Sequence, residues 1–156
     1  KENESITEGL KVLKNTLSET LVHAIYTENN ELFHDMSYYS LYLNMRREQY
    51  ELLVRIAHNL PRLRESYAQT ASVASLFHMT ADSMNEYNNA EELLYTLSEM
   101  RTVFQSAPLP ATRPEFESRA VLYEIVNELQ ELLLLKLRFS ENLTPYQIKT
   151  FWDFHS

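Results

Sequence analysis

A chain of 156 residues with no cysteine, a single glycine (Gly9), a formal charge of −8 and a pI near 5.1 rules out several kinds of protein. Disulfides, thiolate metal sites and a cysteine nucleophile are excluded, as are glycine-rich phosphate loops and tight hairpins that need positive φ. An acidic surface does not displace counterions from phosphates, so nucleic acid is not an expected partner; apolar runs such as 132–135 fall far short of the ~18 to 20 residues that span a bilayer.

The chain starts at Lys1 and enters a helical pattern within a few residues, without the charged, apolar and small-residue regions of a signal peptide. It therefore reads as a piece of a longer protein. Lys1, Lys11 and Lys14 would suit a stretch just inside a membrane. A first helix is expected over about 6–27, opened by Ser5 with Glu8 three residues on, and Leu10, Leu13, Leu17, Leu21 and Ile25 form one apolar stripe. Asn29 and Asn30 interrupt it. The second helix begins near Asp35 and carries Tyr38, Tyr42, Met45, Gln49, Leu52, Ile56, Leu60 and Leu63 on successive turns, with Pro61 expected to kink or end it.

A looser third helix over 68–84 points Val73, Leu76, Phe77 and Met84 inward, and the asparagine-rich 85–89 turns the chain. The fourth, over about 90–106, has the stripe Leu93, Leu97, Met100 and Phe104 and is stopped by Pro108 and Pro110. Thr112 as cap, an early Pro114 and Glu115 at the third helical position mark the start of a fifth helix. Its expected seam is Phe116, Ala120, Tyr123, Val126, Gln130, Leu133 and Leu137, and it reaches about Arg138. Thr144, Pro145 and Gln147 open a short last helix with Ile148, Phe151 and Trp152 on its apolar side. No alternating β-branched run competes, so the expected fold is all-α: one domain, an antiparallel bundle of about five to six helices.

Several positions at fixed offsets carry a resemblance: Tyr38-Tyr39, then Met45-Arg46-Arg47-Glu48-Gln49, then Asn89 with Leu93-Leu94. The most specific is the segment Leu109-Pro110-Ala111-Thr112-Arg113-Pro114-Glu115-Phe116-Glu117-Ser118-Arg119-Ala120. Over roughly 15–140 the chain resembles the C-terminal domain of the putative aromatic acid exporter family of bacterial membrane proteins. That resemblance implies a transmembrane half of the same chain as partner and a place on the cytoplasmic side of the bacterial cell membrane. Pro114 stands where the family pattern leads one to expect an acidic residue, which leaves one fewer carboxylate for Arg113 or Arg119.

The second helix offers ring faces and a guanidinium to an aromatic carboxylate through Tyr38, Tyr42 and Arg46 at i, i+4 and i+8, with Tyr39 beside them. The bland alternative makes the tyrosines core residues and pairs the arginine with a glutamate. Arg113, Glu115, Glu117 and Arg119 alternate in sign at the start of the fifth helix and suit a structural or interaction role, tying that end to its neighbours. Glu124, Glu128 and Glu131 read as a wet face, and the arginines of the second helix, Arg55 and Arg62 among them, as intramolecular pairing partners.

Glu19 with His23, and His78 with Asp82, each place two metal-ligand types on one helix face but lack further ligands, and Glu31-Leu32-Phe33-His34 is an isolated Glu-x-x-His. No metal site and no cofactor are expected. No spacing organises the serines and histidines for nucleophilic or acid–base catalysis, so the chain does not read as an enzyme. The expected function is that of an accessory domain of an exporter, acting in assembly, gating or sensing of a ligand such as an aromatic carboxylate, with a homo-oligomer possible. The alternatives are a metal-binding bundle and a stand-alone protein-interaction bundle.

Overall fold

The computed structural model of the chain describes residues 2–28, 35–63 and 66–152. Among them the secondary structure is helical throughout. Helices α1 (Glu2–Glu28) and α2 (Asp35–Asn59) are followed by a 3-10 turn (Leu60–Arg62), then α3 (Ala68–Ser83), α4 (Glu91–Ser106), α5 (Arg113–Glu141), the short α6 (Pro145–Gln147) and one π-helical turn (Ile148–Trp152). Asn29 and Asn30, and the Glu31–His34 pair, lie outside the described residues.

The core is organised on α5. Its buried residues, Ser118, Val121, Leu122, Ile125, Val126, Leu129, Leu132, Leu133, Lys136 and Phe139, recur every three or four positions along its length. Helix α2 runs antiparallel to it: Tyr38 lies against Phe139, Gln49 Nε2 donates to the Leu132 carbonyl at 3.0 Å, Arg55 pairs with Glu128 and Arg62 with Glu124, so the α2 numbers rise as the α5 numbers fall. Val73 and Leu76 of α3 and Leu93 and Leu97 of α4 complete the main core. The expected bundle is therefore present, and Pro61 ends α2 as its missing N–H requires.

Three expectations about detail change. Helix α1 begins before Ser5, which lies within it, and its stripe is only partly covered: Leu10, Leu17 and Leu21 are half-buried, Leu13 is exposed, and the side chain of Ile25 lies outside the described residues. The seam of α5 is rotated from the expected one, leaving Phe116 62% and Tyr123 58% exposed while Leu122, Ile125 and Leu129 face inward. In the last turn Ile148 is exposed, and only Phe151 and Trp152 reach the core.

Local chemistry fixes the two ends that matter for the site. Asn85 Oδ1 accepts from the N–H groups of Tyr87 and Asn88, Asn88 Oδ1 from Ala90 N, and Asn89 Oδ1 from Glu91 N. These side chains stand in for backbone partners through the α3–α4 turn, which Ala90 closes in a left-handed conformation (φ 65°). At the other end Thr144 Oγ1 accepts from Gln147 N at 3.2 Å, Gln147 Oε1 accepts from Thr144 N at 3.0 Å, and Gln147 Nε2 donates to Ser37 Oγ at 3.1 Å. This reciprocal cap docks the C-terminal turn against the start of α2.

The observed seam and the expected one make opposite claims about two residues. Leu133→Ala is expected to lower stability by about 2–5 kcal/mol, as for a fully buried leucine. Phe116→Ala, at an exposed position, should change it by less than about 0.5 kcal/mol. Urea denaturation of the two variants beside the parent protein reads both.

Candidate functional site

Where α2, α5, the α3–α4 turn and the C-terminal turn meet, an aromatic cluster encloses a cation. Lys136 is completely buried, and its Nζ donates to the backbone carbonyl of Glu86 while lying 5.4 Å from the Phe139 ring centre, 5.5 Å from Trp152 and 5.8 Å from Tyr42. Tyr38 stacks on Phe151 at 4.1 Å, donates its hydroxyl to Glu86 Oε1 at 2.8 Å and accepts from Trp152 Nε1 at 3.1 Å. Burial, with the Arg46 charge behind it, brings the Lys136 ammonium down to about 8, against a smaller upward pull from Glu86. Burial also pushes the Tyr38 phenol up, with Glu86 adding to the rise and the Trp152 hydrogen bond opposing it.

Next to this cluster lies a cavity of about 480 Å³ between α1, α2, α3 and α5. Its walls are mostly apolar, with Leu13 and Leu17 from α1, Leu53 from α2, Phe77 and Met84 from the α3 side and Leu129 from α5; Tyr42, Arg46 and Gln49 also line it. Arg46 Nε donates to the Tyr42 hydroxyl at 2.9 Å and Nη1 to Gln49 Oε1 at 3.1 Å. Both acceptors are neutral, and among the described residues no carboxylate pairs with Arg46. Gln49 is anchored in turn on the Leu132 carbonyl, so the guanidinium is held by an element of the core seam.

The four ligand-binding candidates of α2 thus divide. Tyr42 and Arg46 line the cavity, whereas Tyr38 is a buried part of the aromatic cluster with its hydroxyl committed, and Tyr39 is exposed, meeting Tyr38 and Phe151 edge-on. Lys136 went unnoticed in the sequence. Its spacing from Leu129, Leu132 and Leu133 was the available signal, since i+7, i+4 and i+3 put it on their face.

Among the described residues, the charged start of α5 carries two ion pairs. Arg113 pairs with Glu117 at 2.9 Å in full solvent, while Arg119 Nη2 pairs with Glu115 at 2.6 Å under partial cover and its Nη1 donates to the Pro108 carbonyl at 2.7 Å. Glu115 also accepts from Ala111 N, so Arg119 and Glu115 together clamp the α4–α5 connection. Glu19 and His23 on α1, and His78 and Asp82 on α3, are exposed, and among the described residues no cluster of three or more His, Asp or Glu side chains brings them together as ligands.

The sequence profile described as putative aromatic acid exporter C-terminal domain matches residues 1–137, reaching further toward the start than the motifs at 15–140 suggested. A curated relative, uncharacterized protein YqjA of Bacillus subtilis (strain 168), is 33% identical over 98 residues, covering 63% of this chain and 30% of the relative. The chain therefore spans about a third of that protein's length. A crystal structure titled putative membrane protein, from Clostridium difficile 630, shares the fold with a TM-score of 0.76 over 86% of this chain and 80% of that one, at 20% identity. No described helix is long and apolar enough to cross a membrane.

The buried lysine gives the fold a characteristic pH response. Folded Lys136 loses its proton at about 8, whereas the unfolded lysine keeps it up to the ordinary 10.5, so between these values the unfolded chain binds more protons and stability rises with pH. Above about 10 Tyr38 acts in the opposite sense, because its unfolded phenol ionises near 10.0 and the folded one, being raised, does not. Denaturation midpoints are expected to climb from pH 8 to about pH 10 in the parent protein, and Lys136→Met should flatten that climb.

Proposed function

The chain belongs to the putative aromatic acid exporter C-terminal domain family, and on that footing we propose that it is a ligand-sensing accessory domain, joined to the transmembrane part of its own chain on the cytoplasmic side of a bacterial exporter. The ligand is an aromatic carboxylate, bound between α1, α2, α3 and α5. The role is recognition rather than catalysis.

One observation carries this reading: an apolar cavity of about 480 Å³ has in its wall a guanidinium whose hydrogen-bond partners among the described residues are all neutral. Ligand pockets of roughly 300–1,000 Å³ with few polar groups are the usual size and make-up for small organic molecules. A ligand carboxylate supplies Arg46 with the counter-charge the protein withholds, by charge-assisted hydrogen bonds, and the ring replaces water against Phe77, Leu53 and Leu129. Lys136 reinforces the positive potential behind Arg46 without lining the cavity. The family name supports the aromatic acid as ligand class.

Calorimetry with benzoate, phenylacetate and 4-hydroxybenzoate tests the reading. At least one is expected to bind and raise the melting temperature, while benzamide, which lacks the charge, should not. Arg46→Ala should weaken binding by about 10- to 100-fold, the worth of hydrogen bonds to a charged group. Absence of heat and of thermal shift across all three acids would falsify the sensing role.

A further inference from the structure

A second cavity, of about 180 Å³, lies between the C-terminal half of α4 and the N-terminal half of α5, with Gln69 of α3 at its edge. It shares no lining residue with the cavity at Arg46. Phe104, Leu122 and Val126 make its apolar walls, and two arginines, Arg101 and Arg119, stand in it. The Nε atom of each arginine is buried and has no hydrogen-bond acceptor among the described residues. Buried charged donors without acceptors are costly, and each calls for an explanation, an ordered water or a bound anion among them.

The charges around this cavity do not cancel. Arg119 is neutralised by Glu115 at 2.6 Å, but Arg101 gives Nη2 to the neutral amide of Asn127, lies over the Tyr123 ring at 5.3 Å, and has no carboxylate partner among the described residues. The site thus holds two guanidiniums against one carboxylate. A single negative charge restores balance, and the two guanidiniums that line the cavity give it donors. The apolar walls suit a body the size of one ring or a short branched chain, too small a space for the larger ligands the first cavity admits.

We propose that this α4–α5 cavity is a second, independent anion site that takes a small monocarboxylate with an apolar body, its carboxylate held between Arg101 and Arg119. Because Arg119 fixes the α4–α5 connection through Glu115 and Pro108, and Arg101 ties α4 to Asn127 of α5, an anion there bridges α4 to the start of α5 and stiffens their junction.

Arginine Nε–H signals in 1H–15N spectra report the site directly and separately from Arg46. Titration with benzoate and with 3-methylbutanoate is expected to shift the Arg101 and Arg119 Nε–H signals in the parent protein, and to do so undiminished in Arg46→Ala. Arg101→Gln, which keeps a polar group toward Asn127 but removes the charge, should weaken the response of Arg119 by about tenfold or more, the scale of one charged hydrogen bond. Signals that stay in place at millimolar carboxylate overturn the proposal even if no variant folds. Equal shifts with chloride also overturn it, since they would leave the apolar walls without a role. Loss of the response in Arg46→Ala would assign the binding to the first cavity and likewise overturn it.

Discussion

Helix α5 has to bury one face along its whole length, and α2 covers most of that face while running the opposite way. The pairing keeps step from Tyr38 with Phe139, through Gln49 with the Leu132 carbonyl, to Arg62 with Glu124. At one end of the seam the contacts are aromatic, in the middle they are aliphatic with one buried amide, and at the far end they are ion pairs open to water, which contribute little to stability but fix register. Since α3, α4 and α1 pack around this pair, voids arise where their side chains do not meet across α5. The two cavities lie along different stretches of α5, the first edged by Arg46 and the second by Arg101 and Arg119, and among the described residues Arg46 and Arg101 have no carboxylate partner.

Lys136 shows what a fixed seam demands of a residue that does not suit it. Moving an ammonium out of water costs several kcal/mol, and the fold offsets part of that with the Glu86 carbonyl and three aromatic faces. Glu86 can serve because the asparagine side chains of 85–89 hold the turn, and Trp152 because the reciprocal Thr144–Gln147 cap docks the last turn. Three segments distant in sequence are thus tied to one cation. The family profile stops at residue 137, so Phe139, Phe151 and Trp152, which close the cluster, lie beyond its match.

Much of this was legible. The α2 seam from Tyr38 to Ile56, the break at Pro61 and the caps at Thr112 and Thr144 follow from spacing and from backbone chemistry that acts within a few residues. The seam of α5 was not, because leucines at 132–135 satisfy more than one helical face and the choice between faces depends on α2, an element far away in sequence. A seam through Phe116, Tyr123 and Leu137 leaves Lys136 out of the core. The real one accepts a buried lysine in order to bury Leu122, Ile125 and Leu129. Arg46 could be singled out because its neighbours at i−4 and i+3 are local, whereas the cavity beside it and the meeting of Arg101 with Arg119 are made by helices that only the tertiary fold brings together.

On the sensing reading, helix α1 gives the first cavity its means of communicating. Its residues are largely exposed, it packs mainly on α2, and through Leu13, Leu17 and Thr20 it forms one wall of the space whose opposite wall belongs to the core. A wall with little buried surface of its own opens at low cost compared with the α2–α5 seam. A ligand that touches both walls binds the docked arrangement better than the open one, and it shifts α1 toward docking only by that difference in affinity. A carboxylate paired with Arg46 would have its charge on the core side, so the apolar remainder is what would reach α1. On the sensing reading, the charge therefore decides whether a molecule is held and the size of its apolar body decides how strongly α1 responds.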